Sequence, residues 1–230
     1  MTTPAGFTEA ELADLDEPVR RYFRHAIAAG APLSRGVRLR LSGRIKVGVW
    51  LSFDSTWEGD GRSFSWDATA GPGRRPLRVH DAFAEGRGVM DVRLRRPPLR
   101  LVHAEDEHTA RSGAGRAALE AIWTPASLLP SRGVRWRAES PTAIVASLDV
   151  PPEQPEVHLT LSSEGAVRSV RGRRWRDAKR GYEPFGADVE AEATFHGLTI
   201  PGRLTAGWGH GTDAWSPFFE CEVTALELVG

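Results

Sequence analysis

The carboxylate best placed to do acid–base work in this 230-residue chain is Glu120. It falls one helical turn before Trp123 and Pro125, where apolar surroundings would disfavour its charged form and raise its pKa. Two of the seven histidines are placed to pair with it. His25 lies beside the apolar stripe of an N-terminal helix. His210 lies in a glycine-rich loop between Trp208 and Trp215. A Glu/His pair in an apolar cavity would supply the acid and base for a cofactor-independent cyclisation, isomerisation or hydrolysis. His80, His158 and His196 stand singly, where a histidine is ordinarily structural.

Other motifs point away from familiar chemistry. Gly113-Ala114-Gly115-Arg116-Ala117-Ala118 matches the dinucleotide-binding spacing. That spacing works only between a buried parallel strand and a helix start. Here the preceding residues, Ala104 to Ser112, are highly charged and no βαβ series surrounds them, so small residues packing closely at a helix start are expected instead. His103-Ala104-Glu105-Asp106-Glu107-His108 lacks the H-E-x-x-H order that sets two histidines over a zinc, and reads as a solvated acidic turn. No nucleophile elbow and no P-loop occurs. Cys221, the single cysteine, alternates with Phe219 and Val223 and is expected to face the core as an inert thiol. No metal site and no cofactor is implied.

Aromatic residues carry the most information. Eight tryptophans and nine phenylalanines stand against two tyrosines. Tryptophan joins a large apolar ring to one donor and is used in cores and ligand cavities alike. Trp66, Trp123, Trp208, Trp215 and Phe185 are the candidate cavity lining. Tyr182, Arg111 and His210 are the candidate polar contacts that would orient a ligand. The same rings filling a packed core is the competing reading.

The elements that would hold these residues follow from periodicity. Residues 8–30 read as a short helix, a break and a longer helix. Thr8 with Glu11 forms a capping-box pattern, Asp16 before Pro18 marks the second start, and Gly30 and Pro32 end it. Leu12, Leu15, Val19, Tyr22, Phe23, Ala26 and Ile27 share one stripe. From residue 35 strands dominate. Val37, Leu39, Leu41, Ile45 and Val47 alternate with Arg38, Arg40, Ser42, Arg44 and Lys46, a period of two with one buried face. Further strands are expected over 49–57, 64–70, 77–83, 89–94 and 99–103, separated by turn residues that include Gly71-Pro72-Gly73 and Pro97-Pro98. A helix over about 109–129 follows, kinked or restarted at Pro125. Strands return over 134–138, 143–150, 156–162, 166–176, 187–195, 200–208 and 218–228. Short connections between so many strands predict an antiparallel meander that curls. The basic face of the first strand and the acidic Asp188, Glu190 and Glu192 are expected to meet across neighbouring strands or between subunits.

Length and composition fit one mainly β (α+β) domain spanning residues 1–230, large enough to bury a core without staples. Lys+Arg and Asp+Glu both number 30. That balance lacks the basic excess of a nucleic-acid binder. A lone cysteine fits a reducing compartment, Met1 to Ala10 shows no export-signal pattern, and no stretch approaches a membrane span, so the cytoplasm is the expected location.

Several strings resemble an uncharacterised bacterial family, a domain of unknown function. They are Glu17-Pro18-Val19-Arg20-Arg21-Tyr22, Ser42-Gly43-Arg44-Ile45, the run from Trp123 to Pro130, Tyr182-Glu183-Pro184-Phe185-Gly186, and Gly207-Trp208 through Trp215. The likeness covers about residue 15 to the C-terminus and brings no activity or site residue with it. The order of elements also resembles the half-barrel lipoprotein-carrier fold, in which a curved antiparallel sheet wraps helices over an apolar cavity. That likeness implies a half-barrel around an N-terminal helix pair and a central helix. Three functions remain open. The first is binding of an apolar or amphipathic small molecule, a lipid or a hydrophobic metabolite. The second is a cofactor-independent enzyme of the same shape. The third is a protein-interaction module.

Overall fold

A computed structural model describes residues 6–72, 76–95 and 98–230. Gly73 and Pro97, read above as turn residues, lie outside them, as does the first half of the Met1–Ala10 segment. A 3-10 turn (Glu9–Leu12) and helix α1 (Glu17–Ala26) open the chain. Strands β1 (Gly36–Val47), β2 (Val49–Gly59), β3 (Phe64–Ala70), β4 (Leu77–Ala84), β5 (Arg87–Leu94) and β6 (Leu99–Ala104) follow. Helix α2 (Glu107–Glu120) and three 3-10 turns between Ala121 and Arg132 connect to the second half. That half comprises β7 (Arg135–Ser140), β8 (Ala143–Ser147), β9 (Glu156–Leu161), β10 (Val167–Arg176), β11 (Gly181–Phe195), β12 (Leu198–Trp208) and β13 (Ser216–Val229).

The thirteen strands form one antiparallel sheet in the order β6-β5-β4-β3-β2-β1-β13-β12-β11-β10-β9-β8-β7. The two halves are meanders that meet in the middle, where β1 pairs with β13 from Gly36↔Val229 to Ile45↔Phe219. β6 and β7 therefore lie at opposite edges, and the segment joining them has to cross the sheet. α2 is that crossing. It packs against β4 and β5 on one side and β9 and β10 on the other. Strands lie roughly 4.8 Å apart, so in a flat sheet β5 and β10, with seven strands between them, would stand nearly 40 Å apart. A helix is only about 10–12 Å wide. Contact with both walls requires the sheet to curl around α2, and the product is an open, curved half-barrel rather than a closed one.

The alternation read in β1 holds. Val37, Leu39 and Leu41 are buried while Arg38 and Arg40 are exposed. Gly48, at φ 72°, is the single residue between the paired Val47 and Val49 and makes the tight reversal that only glycine adopts without strain. β11 begins at Gly181, six residues before the patterned stretch from Ala187. Tyr182, Glu183 and Pro184 hide its period, and pairing with β10 extends it. The central helix is shorter than its apolar pattern suggested. It ends at Glu120, and Pro125 and Pro130 sit in the first turns of separate 3-10 segments.

Three local expectations are corrected. Thr8 makes no side-chain cap, so the capping box does not form. Asp16 precedes α1, but its carboxylate accepts from the Ala138 N–H at 2.9 Å instead of capping, which ties the helix to β7. Within the chain the basic face of β1 does not meet the acidic residues of β11, because β13 and β12 intervene. Arg38 pairs with Glu58 of β2 at 2.7 Å, and Arg44 with Glu220 of β13 at 2.5 Å. Asp188, Glu190 and Glu192 take His210, Arg203 and His25 instead.

α2 is fitted to its groove by small residues. The Gly113–Ala118 string lies inside the helix, not at its start. A Cβ on Gly113 would come within 2.9 Å of Phe83, and one on Gly115 within 3.2 Å of the Arg174 side chain. On the facing strand, a Cβ on Gly88 would lie 2.6 Å from the Thr109 carbonyl oxygen. Ala114, Ala117 and Ala118 are almost completely buried. The helix start belongs to the acidic turn, since Asp106 accepts from the Thr109 N–H at 2.8 Å and from its hydroxyl at 2.8 Å.

Gly113→Val should therefore overpack the α2–β4 contact and cost about 1–3 kcal/mol, read as a drop of about 2–4 °C in thermal midpoint per kcal/mol. Asp106→Ala should cost about 1 kcal/mol as a lost cap. Bonds from the Thr109 backbone and hydroxyl lower the Asp106 pKa. The cap's contribution is therefore complete above the ordinary aspartate value and fades as pH falls through the lowered one. Thermal melts should show the gap between wild type and Asp106→Ala closing in acid, and a gap that persists would exclude this role.

Candidate functional site

Under α2 the concave face encloses a cavity of about 570 Å³. Strand alternation decides what faces it. From one wall come Ile45, Trp66, Val79, Met90 and Val92; from the other come Val170, Phe185, Leu204, Trp208 and Phe219. Leu119, Ile122 and Trp123 line it from the crossing segment. The tryptophan N–H groups that this packing buries are satisfied. Trp123 Nε1 donates to the Pro201 carbonyl at 3.0 Å, and Trp66 Nε1 to Ser55 Oγ at 2.9 Å.

Among the described residues four charged side chains interrupt the apolar lining: Asp81, Arg116, Glu120 and Arg174. Asp81 follows Leu77 and Val79 at alternate positions of β4, so the strand's period turns it inward. Arg116 projects from α2 between two carboxylates. Its Nη1 lies 2.5 Å from Asp81 Oδ2, and its Nε donates to Glu120 Oε1 at 2.7 Å. Trp57 Nε1 donates to the other Glu120 oxygen at 2.7 Å. The Arg116 guanidinium lies 4.4 Å from the Phe64 ring centroid and 5.3 Å from that of Trp66. Burial works to lower the Arg116 pKa, but Glu120 and Asp81 outweigh it and hold the group above its ordinary value.

Arg174 is held differently. Its Nε donates to the Ser112 carbonyl of α2 at 3.0 Å, and its guanidinium lies 5.0 Å from the Phe185 ring centroid and 5.5 Å from that of Trp208. Among the described residues no carboxylate oxygen stands within 4.0 Å of it. Burial, and then the like charge of Arg116, push its pKa down to about 10, with Asp81 and Glu120 offsetting only part of this. Arg174 remains a cation at neutral pH.

One rim of the cavity is apolar and exposed. Val47 and Leu101 line it while standing 55% and 51% open to solvent, and Val49 and Leu99 beside them are also exposed. These residues come from the β1–β2 hairpin and from β6, the strand at the sheet edge.

The structure gathers some of the sequence candidates and separates others. Trp66, Trp123, Phe185 and Trp208 line the cavity. Trp215 does not. It packs edge-on against His210 with centroids 4.9 Å apart, and His210 Nε2 lies 3.0 Å from Asp188 Oδ1. Asp188 points to the face opposite Ala187, so the 208–215 loop folds over the outside of the sheet. His25 Nε2 sits 2.8 Å from Glu192 Oε2 and is also outside the lining. Glu120 does face the cavity, but both of its oxygens are engaged and neither histidine accompanies it there. The expected acid–base pair is not assembled. Arg111 and Tyr182 meet elsewhere, in a polar recess of about 340 Å³. There Arg111 Nε lies 3.3 Å from Glu153, Tyr182 Oη donates to the same carboxylate at 2.7 Å, and Trp175 packs against both. Cys221 is buried as expected, and burial pushes its thiol pKa up.

Sequence reasoning missed Asp81, Arg116 and Arg174. A signal for the last existed: Val170, Gly172 and Arg174 share one face of β10 by the same period of two that turns Val170 inward.

Arg116→Met should leave Asp81 and Glu120 buried without their cation and cost about 3–5 kcal/mol. Denaturant titrations should read this loss as a lowered midpoint, and a variant as stable as the wild type would mean that the buried pairing contributes nothing to stability.

A curled antiparallel sheet over an apolar cavity with a buried charge cluster defines the kind of protein this is. Over residues 5–221 the chain matches a family described as a family of unknown function, DUF6544. The chain belongs to that family. No curated protein matches it. Solved structures similar to it include a LolA superfamily protein from Nitrosomonas europaea, at 10% identity and TM-score 0.44, covering 93% of this chain and 92% of that one. A putative outer membrane lipoprotein-sorting protein domain from Vibrio parahaemolyticus shares 9% identity at TM-score 0.40, covering 84% and 85%. A DUF1329 family protein from Desulfovibrio piger shares 10% identity at TM-score 0.40, covering 85% and 86%.

Proposed function

We propose that this protein binds an apolar or amphipathic small molecule, a lipid or a hydrophobic metabolite, in the cavity under α2. The observation that carries the reading is the cavity itself, about 570 Å³ and walled by aliphatic and aromatic side chains with a few charged groups at one place. Ligand sites have this size and this composition. An apolar recess of that volume leaves its lining without dispersion partners, a loss that a ligand reverses. The exposed apolar rim at Val47 and Leu101 supplies a way in. With Glu120 bonded to Arg116 and Trp57, binding is favoured over acid–base catalysis.

Native mass spectrometry of the purified protein, followed by denaturation, should release a defined apolar molecule or show an apo protein that takes up a neutral probe. N-phenyl-1-naphthylamine fluorescence should rise on mixing with the wild type. Ala206→Trp, which places a ring in the cavity from β12, should weaken that binding by about tenfold or more while the protein stays folded by circular dichroism. Probe binding that is absent from the wild type, or unaltered in the variant, would sink the reading.

A further inference from the structure

We infer that the cavity selects a ligand bearing a carboxylate head group, a straight-chain fatty acid or a similar apolar monoacid, and that Arg174 is the residue that reads it. This rests on the cavity-binding reading and names the ligand class within it.

Among the described residues two cations line the cavity, and one of them is free to act on a ligand. Arg116 is committed to Asp81 and Glu120 at 2.5 and 2.7 Å. Arg174 spends its Nε on the Ser112 carbonyl, and its two Nη groups make no hydrogen bond within the protein among the described residues. A guanidinium in apolar surroundings with its fork unused carries a cost that the two aromatic faces and the more distant Asp81 and Glu120 offset only in part, because burying a charge is expensive unless it is paired. The depressed pKa of Arg174 reports that cost, and an added anion would relieve it. Position makes the relief available to a ligand. Gly115 clears the helix away from the Arg174 stem, and Phe185 and Trp208 hold the guanidinium against the cavity wall.

The planar fork matches a carboxylate in a two-bond geometry. The four charged side chains of the described lining, two arginines and two carboxylates, sum to zero, so the single charge of a monoanion is tolerated there better than the two of a phosphate dianion. The tail has its own place, since the apolar lining continues from Phe185 and Trp208 towards the exposed rim at Val47 and Leu101.

The test displaces bound N-phenyl-1-naphthylamine, a neutral probe, with dodecanoate, dodecanol, dodecylamine and dodecyl phosphate at neutral pH. Dodecanoate should bind at least about tenfold tighter than dodecanol, as a charge-assisted hydrogen bond to a buried partner implies. Dodecylamine should bind weakest. Arg174→Met keeps the apolar stem and should bring dodecanoate down to the level of dodecanol, the ratio of the two within each variant being the readout. Arg174→Lys keeps the charge without the fork and should fall between them.

Equal binding of acid and alcohol by the wild type would overturn the assignment and leave the apolar cavity standing. An acid preference that survives Arg174→Met would place the anion elsewhere and also overturn it. Dodecyl phosphate outcompeting dodecanoate would replace the carboxylate with a phosphate head group. Failure of the probe itself to bind would remove the cavity reading, and this one with it.

Discussion

Everything in this fold depends on one connection. The first six strands run outward from the centre of the sheet to one edge, and the next seven run inward from the other. The chain between them has a sheet's width to cross, and it crosses as a helix. Contact between α2 and strands eight places apart fixes the curl, the curl makes a concave face, and the helix over that face makes a chamber. Small residues permit it: with larger side chains at Gly88, Gly113 and Gly115 the helix would ride higher and the two walls would splay.

The charge cluster shows the opposite economy. Asp81, Arg116, Glu120 and Trp57 form a chain of bonds in an apolar surrounding, where an aliphatic core of the same shape would hold at least as well. These four residues come from three elements, so the chain of bonds ties α2 to β2 and β4 in one register. Arg174 stands outside it. Its nearest partners are a backbone carbonyl and two aromatic faces, a fixed cation facing a void rather than a member of a closed network.

Five of the tryptophans divide between packed interior and cavity wall. Trp57 and Trp136 serve the packed interior, the first beside Trp123 and the second against Tyr22 and Phe23 of α1. Trp66, Trp123 and Trp208 turn a face to the cavity. Composition could not separate them, because an indole ring meets a neighbour or a void with the same side chain.

Strand number and approximate position were legible along the chain because alternation is a local property: a period of two needs only near neighbours to be read. The helix start at Glu17, the buried face of β1 and the inward thiol of Cys221 came from the same kind of signal. The 208–215 loop was misplaced because a loop has no period, and its side of the sheet is set by contacts distant in sequence, His210 reaching Asp188 over the glycine at 186. Arg111 and Tyr182, grouped with His210 in the sequence as polar contacts of the cavity, meet over Glu153 in a different recess, since which strand end abuts which helix turn is decided by the curl. Arg174 looked like one more arginine in an arginine-rich strand. What separates it from Arg173 is the wall it faces. Local sequence determined the elements and their faces; the long-range crossing of α2 alone decided which faces enclose a space and which charge is left unpaired inside it.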